Sequence, residues 1–237
     1  MLGAKLNVEG NAWLCGLSAP DLDALRPRLQ DHPLHLGDVL QAAHEPAQWV
    51  YFPVQGLLSL VYTSLDGATV ETGMVGQEGA SGLQEACSGA AVYVNHLVQI
   101  EGRALRAPAS ACRTLHEASP TFRQAVGASA DLLLNEARQS VVCQALHSAE
   151  ARFARWLLES RDRAACAETV PLTQEHLAAM LGVQRTTVSA VASTLQKAGL
   201  VRYSRGRIVL LDPTGLERIA CECRSAMRRY RENAERS

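Results

Sequence analysis

At Ser119-Pro120 the chain changes its period, and that change limits what it can fold into. Serine caps the free N–H groups of a helix start, and proline fits the first turn. From there through about His147 no further proline occurs, and the single glycine, Gly127, is tolerable inside a helix. Phe122, Val126, Leu133, Ala137 and Val141 recur at four- and seven-residue steps. That spacing gives one apolar face on a helix of roughly 40 Å at 1.5 Å per residue. The face either packs on its own β domain or forms a dimer seam, with those five residues as the interface.

The sequence ahead of this helix reads as β. Between Leu34 and Pro108, glycines at 37, 56, 67, 73, 76, 79, 82, 89 and 102 punctuate short β-rich runs. Trp49-Val50-Tyr51-Phe52 is one run, ended by Pro53. Leu57 to Leu65 is a second, and Asp66-Gly67 supplies the positive φ of a tight hairpin turn. Ala68 to Met74 returns, and Val92 to Ile100 and Arg103 to Ala107 follow. Many short strands with regular turns predict a sandwich, barrel or jelly roll. Upstream, Ser18-Ala-Pro-Asp21 opens a helix carrying Leu22, Leu25 and Leu29, with Ser18 as N-cap in an S-x-x-D box.

Charge separates the two halves. Residues 1–150 carry eight Lys/Arg against fifteen Asp/Glu, a net −7, while 151–237 carry fifteen against nine, a net +6. A basic back half suits a polyanionic partner. Apolar residues are 47% and charged residues 20% of the 237, a globular composition. No run approaches the ~20 apolar residues of a membrane helix. The N-terminus lacks an apolar signal region, so the expected location is the cytoplasm.

The segment 172–211 carries the chemistry. Thr173 can cap a helix to Leu181 whose Leu177, Met180 and Leu181 face inward, and Gly182 supplies the sharp turn. A second helix, about Gln184 to Ala198, buries Val188, Val191 and Leu195. It leaves Gln184, Arg185, Thr186 and Ser189 outward near its start, where a recognition helix meets base edges. Gly199 ends it. Leu200 to Tyr203, Ser204-Arg205-Gly206 and Arg207 to Leu211 then form a hairpin, the wing of a winged helix-turn-helix. Arg202, Arg205 and Arg207 on or beside it are placed to hold phosphates. A helix from about Ser148 to Arg161, burying Phe153, Trp156 and Leu157, precedes this module. A further helix, with Leu216, Ile219, Ala220 and Cys223 as its stripe, follows from about Pro213. Arg224, Arg228, Arg229 and Arg231 crowd its end, where a helix favours cations.

This order of parts resembles the CRP/FNR family of bacterial transcription regulators, over nearly the whole chain and most strongly at 148–211. Leu172-Thr-Gln-Glu-x-Leu-Ala-x-x-Leu-Gly-Val-x-Arg-Thr-Thr-Val-Ser is similar to the family signature, with Arg185, Thr187 and Val188 matching its recognition helix. The resemblance implies an α+β fold: an N-terminal cupin-like jelly-roll β-barrel, a long dimerisation helix and a C-terminal winged helix-turn-helix. The expected divisions are a β-roll sensor over 1–118, the dimerisation helix over 119–147, the DNA-binding domain over 148–213 and a C-terminal helix over 214–237. It implies no enzyme, but a homodimer on a near-palindromic promoter site that helps or blocks RNA polymerase. Thr187 and the backbone at the helix start would anchor phosphate, while Gln184, Arg185, Thr186 and Ser189 read or position. Thr186 stands where the family often has glutamate, and Ala190 where it often has arginine. The common operator is therefore not expected.

The effector region departs further. Val75-Gly-Gln-Glu-Gly-Ala-Ser-Gly82 stands where cyclic-AMP-binding members carry their phosphate cassette, but Asn95-His96 stands near the expected R-[ST] pair. No arginine lies between Glu71 and Glu101, so cyclic AMP is not expected, and the effector is unknown. A haem would have His44, Cys87 or His96 as candidate ligands, each equally readable as structural. An iron–sulfur cluster needs several thiolates, and only Cys15 lies near the N-terminus. No cofactor is expected. A cupin metal enzyme would need an H-x-H motif, which is absent. The competing reading is a cupin-like ligand-binding or interaction module without DNA readout. The seven cysteines, at 15, 87, 112, 143, 166, 221 and 223, form no CxxC pair and read as buried thiols. Cys221 and Cys223, two apart on one helix, would point about 200° apart and could not clamp one metal. No metal is therefore expected.

Overall fold

A computed structural model describes residues 8–165, 169–171, 177–178, 181–204 and 206–234. Two short helices, α1 (Ala12–Cys15) and α2 (Ala19–Leu25), lead into a 3-10 turn at Arg26–Arg28. The strands β1 (Gln30–Leu34), β2 (Val39–Gln41), β3 (Trp49–Thr63) and β4 (Thr69–Val75) follow, then α3 (Leu83–Ser88), β5 (Asn95–Pro108) and α4 (Ala109–Ala118). The sheet runs β1-β5-β3-β4, with β2 also on β5. The capping box holds: Asp21 N–H donates to Ser18 Oγ and Ser18 Oγ–H donates to Asp21 at 2.7 Å. Leu29 falls beyond the expected helix, after the 3-10 turn.

The strands read as four short runs are two long ones. β3 passes through Pro53 and Gly56, and β5 passes through Gly102. Gly56 has φ +94°, and a Cβ there would stand 2.6 Å from the Ile100 carbonyl oxygen; a Cβ at Gly102 would collide with the Gln55 carbonyl. These glycines let two strands cross backbone to backbone, so they mark close approach and not strand ends. Gly102→Ala should cost about 1–3 kcal/mol in urea unfolding, the usual overpacking range. Gly127→Ala, with open space around the new methyl, should instead stabilise by about 0.5–1 kcal/mol.

The long helix α5 (Pro120–Leu146) is present as expected. Phe122 and Val126, however, are buried at 0% and 7% exposure in the β-domain core with Leu14, Leu25, Phe52, Leu83 and Leu105. Trp13 stacks on Phe52 and meets the Phe122 ring edge-on. Thr121 donates to Asp21, fixing the helix start. These two residues therefore belong to their own chain's core and not to a dimer seam. Periodicity identified an apolar face; it did not identify what covers it. Leu133 and Ala137 are half-buried, and Val141 is exposed.

Inside the β domain His96 is 3% exposed, with Nδ1 2.7 Å from Ser81 Oγ and 3.5 Å from Gln41 Nε2. Burial holds its pKa down to about 4, against an ordinary 6.5. Between those values the unfolded chain binds the proton and the fold does not. The contribution of His96 to stability is thus full above pH 6.5 and is lost as pH drops toward 4, about 3 kcal/mol at 1.36 kcal/mol per pH unit. Urea midpoints measured across pH 4–7 should show this slope, and His96→Gln should flatten it.

After α5 come α6 (Ala149–Arg163) and β6 (Thr169–Pro171), then α7 (Arg185–Lys197), β7 (Val201–Ser204) and β8 (Arg207–Leu210). Two helices end the chain, α8 (Pro213–Ile219) and α9 (Cys223–Ala234). The single C-terminal helix expected from about Pro213 is therefore broken: Ala220 has extended backbone, ψ 142°. Cys221 precedes α9, so the 200° divergence expected of Cys221 and Cys223 on one helix does not occur.

The described residues divide into two compact units. One comprises those up to Leu60, with Met74–Asp131 and Arg163–Ala165; the other comprises Val61–Gly73, Leu132–Asp162 and those from 169 onward. No helix of the described residues is long and apolar enough to cross a membrane.

Candidate nucleic-acid interface

The helix-turn-helix is assembled by local signals. Residues 177–178 and 181 are helical, with Leu177 and Leu181 buried. Gly182 takes φ +57°, and Val183 N–H donates to the Ala178 carbonyl at 3.1 Å, closing the turn. Thr173 and Met180 lie outside the described residues. Arg152, 8% exposed on α6, donates to the Leu181 carbonyl at 2.8 Å. It satisfies a carbonyl at the helix end and fixes the turn against α6. Sequence reasoning missed Arg152, because an arginine on an amphipathic helix looks like a surface residue.

Helix α7 begins after Gln184, which caps it with extended backbone and no side-chain hydrogen bond. Val188 and Leu195 are fully buried and Ala192 nearly so, while Val191 is half-buried. Gln184, Arg185, Thr186 and Ser189 are exposed and Thr187 is half-buried. Ser189 donates its hydroxyl proton to the Arg185 carbonyl at 3.1 Å, leaving the oxygen as an acceptor. The first turn holds no acidic residue. The positive end of the helix dipole thus adds to Arg185 with no carboxylate on that turn to oppose an incoming phosphate.

The wing is antiparallel, with Arg202 opposite Val209 and Ser204 opposite Arg207. Side chains alternate along strands, so Arg202, Ser204, Arg207 and Val209 share one face. Ile208 and Leu210 are buried on the other, with Val201. Arg202 and Arg207 are both exposed, two cations on one outward surface; Arg205 lies outside the described residues. The wing has a third strand that the sequence did not reveal: β6 pairs with β8, Thr169 opposite Val209. The recognition helix is tied to the wing by Gln196 Oε1, which accepts from Tyr203 N–H at 2.9 Å. Among the tail arginines, Arg224 pairs with Asp162 at 2.5 Å and with Glu217, and Arg231 pairs with Glu136 at 3.0 Å. Those two serve the fold.

The cassette-like turn has its own internal occupant. Glu78 accepts from Gly76 N–H at 3.0 Å and from Arg163 Nε at 2.9 Å, and its carboxylate lies 2.5 Å from the Arg163 terminal nitrogen. Arg163 also donates to the Met74 carbonyl, and its own carbonyl accepts from Gln77 N–H. The turn is thus closed on Arg163 of the same chain.

Comparison with known proteins agrees with this anatomy. A family model of the Crp-like helix-turn-helix domain matches residues 151–219. In structure the chain is similar to FixK2 from Bradyrhizobium japonicum (TM-score 0.69, 20% identity, covering 81% of this chain and 98% of that one). It is similar to a CRP/FNR-family transcriptional regulator from Thermus thermophilus (TM-score 0.65, 23% identity, 81% and 98% covered). It is also similar to the c-di-GMP responsive global regulator CLP from Xanthomonas campestris (TM-score 0.65, 16% identity, 81% and 99% covered). No curated protein matches the chain in sequence.

Proposed function

We propose that this chain is a CRP/FNR-family transcription regulator that works in the cytoplasm as a homodimer on a near-palindromic promoter site, a reading supported by the Crp-like helix-turn-helix match over residues 151–219 and by the likeness of its fold to FixK2. Two copies of α7 enter successive major grooves about 34–36 Å apart. Gln184, Arg185, Thr186 and Ser189 meet base edges, Thr187 and the helix start meet phosphate, and Arg202 and Arg207 hold the flanking backbone. Thr173 and Arg205 are assigned to the same backbone contacts. Bound protein then assists or obstructs RNA polymerase. The observation that carries this is the set of exposed polar side chains at the start of α7 beside a wing whose outward face holds two arginines.

For the dimer, the support lies on the second half of α5. There Leu134, Val141, Val142 and Leu146 are exposed, the last two of the four-residue set at 43% and 74%. Leu133, Ala137 and Val141 remain assigned to the seam, and Phe122 and Val126 are withdrawn from it. Cyclic AMP is not the proposed effector, since Glu78 is paired with Arg163 and no arginine lies between Glu71 and Glu101. Selection of the purified chain against a random duplex pool should enrich an inverted repeat. A folded dimer that enriches none, and binds without steep salt dependence, would overturn DNA readout and leave an interaction module.

A further inference from the structure

The three cysteines nearest the base of the DNA-binding module, with one histidine, converge. The ligand atoms of Cys143, His147, Cys221 and Cys223 all lie within 4.8 Å of one another. Cys143 and His147 stand one helical turn apart at the end of α5, where His147 N–H donates to the Cys143 carbonyl at 3.2 Å. Cys223 is the first residue of α9, and Cys221 lies in the break before it. The Cys143 and Cys221 sulfurs are 3.5 Å apart, and Cys223 Sγ is 3.5 Å from His147 Nδ1. The cysteines are buried at 1%, 7% and 1% exposure.

The two 3.5 Å separations are those of one coordination sphere, and the 4.8 Å bound leaves the remaining pairs within about 1 Å of it. Zinc–sulfur bonds near 2.3 Å and zinc–nitrogen bonds near 2.0 Å place tetrahedral ligands about 3.5–3.8 Å apart. A sulfide-bridged iron cluster spreads its thiolates over several metal atoms, and this group is too compact for that. The outer groups fit as well. His147 presents Nδ1 to the sulfurs, while its Nε2 lies 3.1 Å from Glu222 Oε1. Donation of the second ring N–H to a carboxylate is the usual support of a ligating imidazole. Gln139 Nε2 donates to Cys223 Sγ at 3.0 Å, a bond that favours a thiolate.

We propose that Cys143, His147, Cys221 and Cys223 bind a single zinc-class divalent ion in a closed structural site. Three thiols lose their protons to solvent and a neutral imidazole supplies the fourth bond, leaving no open position for a substrate. The four ligands bracket the helix-turn-helix region at 151–219: two precede it and two follow it. The ion therefore clips the C-terminal helix to the end of the long helix, and closes the chain at the base of the DNA-binding module.

The test uses the full chain purified under thiol reductant from zinc-supplied cells. Elemental analysis should give one zinc per chain. Cobalt(II) added to chelator-treated protein should give the intense thiolate-to-metal charge-transfer and d–d absorption of a tetrahedral sulfur-rich site. Cys223→Ser and His147→Ala should lose or alter that spectrum, and Cys15→Ser, at an exposed position, should keep it. If the variants do not fold, the metal count and cobalt spectrum of the unaltered chain still decide. Substoichiometric zinc with only a weak octahedral cobalt spectrum would overturn the proposal, as would iron with acid-labile sulfide. None of these readouts depends on DNA binding, so the site and the DNA reading can fail separately.

Discussion

Arg185→Ala is expected to lower affinity for the selected operator by about 5- to 150-fold, the equivalent of the ~1–3 kcal/mol that a good base contact supplies. Affinity for unrelated duplex should change little. Arg185 is exposed at the first position of α7, so its loss leaves the Val188, Ala192 and Leu195 packing intact. Arg207→Ala should behave differently. It stands on the wing's outward face opposite Ser204, and its loss should weaken specific and non-specific binding alike, reducing the salt slope by about one. Binding isotherms at several salt concentrations on operator and scrambled duplex separate the two patterns. Equal effects of the two substitutions would overturn the division between readout and phosphate contact.

The parts legible in the sequence are those set by neighbouring residues. Gly182, the 188/195 spacing and the Ser204-to-Arg207 turn define the helix-turn-helix and wing because each depends on a few adjacent φ angles and one face of one helix. The parts that were not legible depend on residues far apart in the chain. Gly56 and Gly102 looked like strand ends, and only the crossing of β3 and β5 shows why a side chain is excluded there. Phe122 and Val126 had the right period for a helix seam, but the aromatic Trp13 and Phe52, from sequence far upstream, form the core that takes them. Helical spacing sets Cys221 and Cys223 apart, and the break at Ala220 removes that premise. The charge asymmetry behaves likewise: a net +6 was visible, but which arginines are consumed internally depends on Asp162, Glu217 and Glu136.

Arg163→Met should produce the largest loss of stability, about 3–5 kcal/mol by urea unfolding, the range for breaking a buried ion pair from one side. The Arg163 side chain is 6% exposed and that of Glu78 17%, which places the expected value toward the lower bound. The substitution takes the guanidinium away from the Glu78 carboxylate and a donor from the Met74 carbonyl. Part of the cost is that of a charge held in a poorly hydrated turn without its guanidinium, so it can be relieved without restoring arginine. Adding Glu78→Gln removes the charge while keeping shape and a hydrogen-bonding head, and the double variant should recover part of the loss. A substantial coupling between the two sites, read from the four-variant cycle, is the expected result. If Arg163→Met alone costs under about 1 kcal/mol, the pair acts as an ordinary surface contact. The closed cassette turn would then owe its shape to the backbone bond from Gln77 to the Arg163 carbonyl.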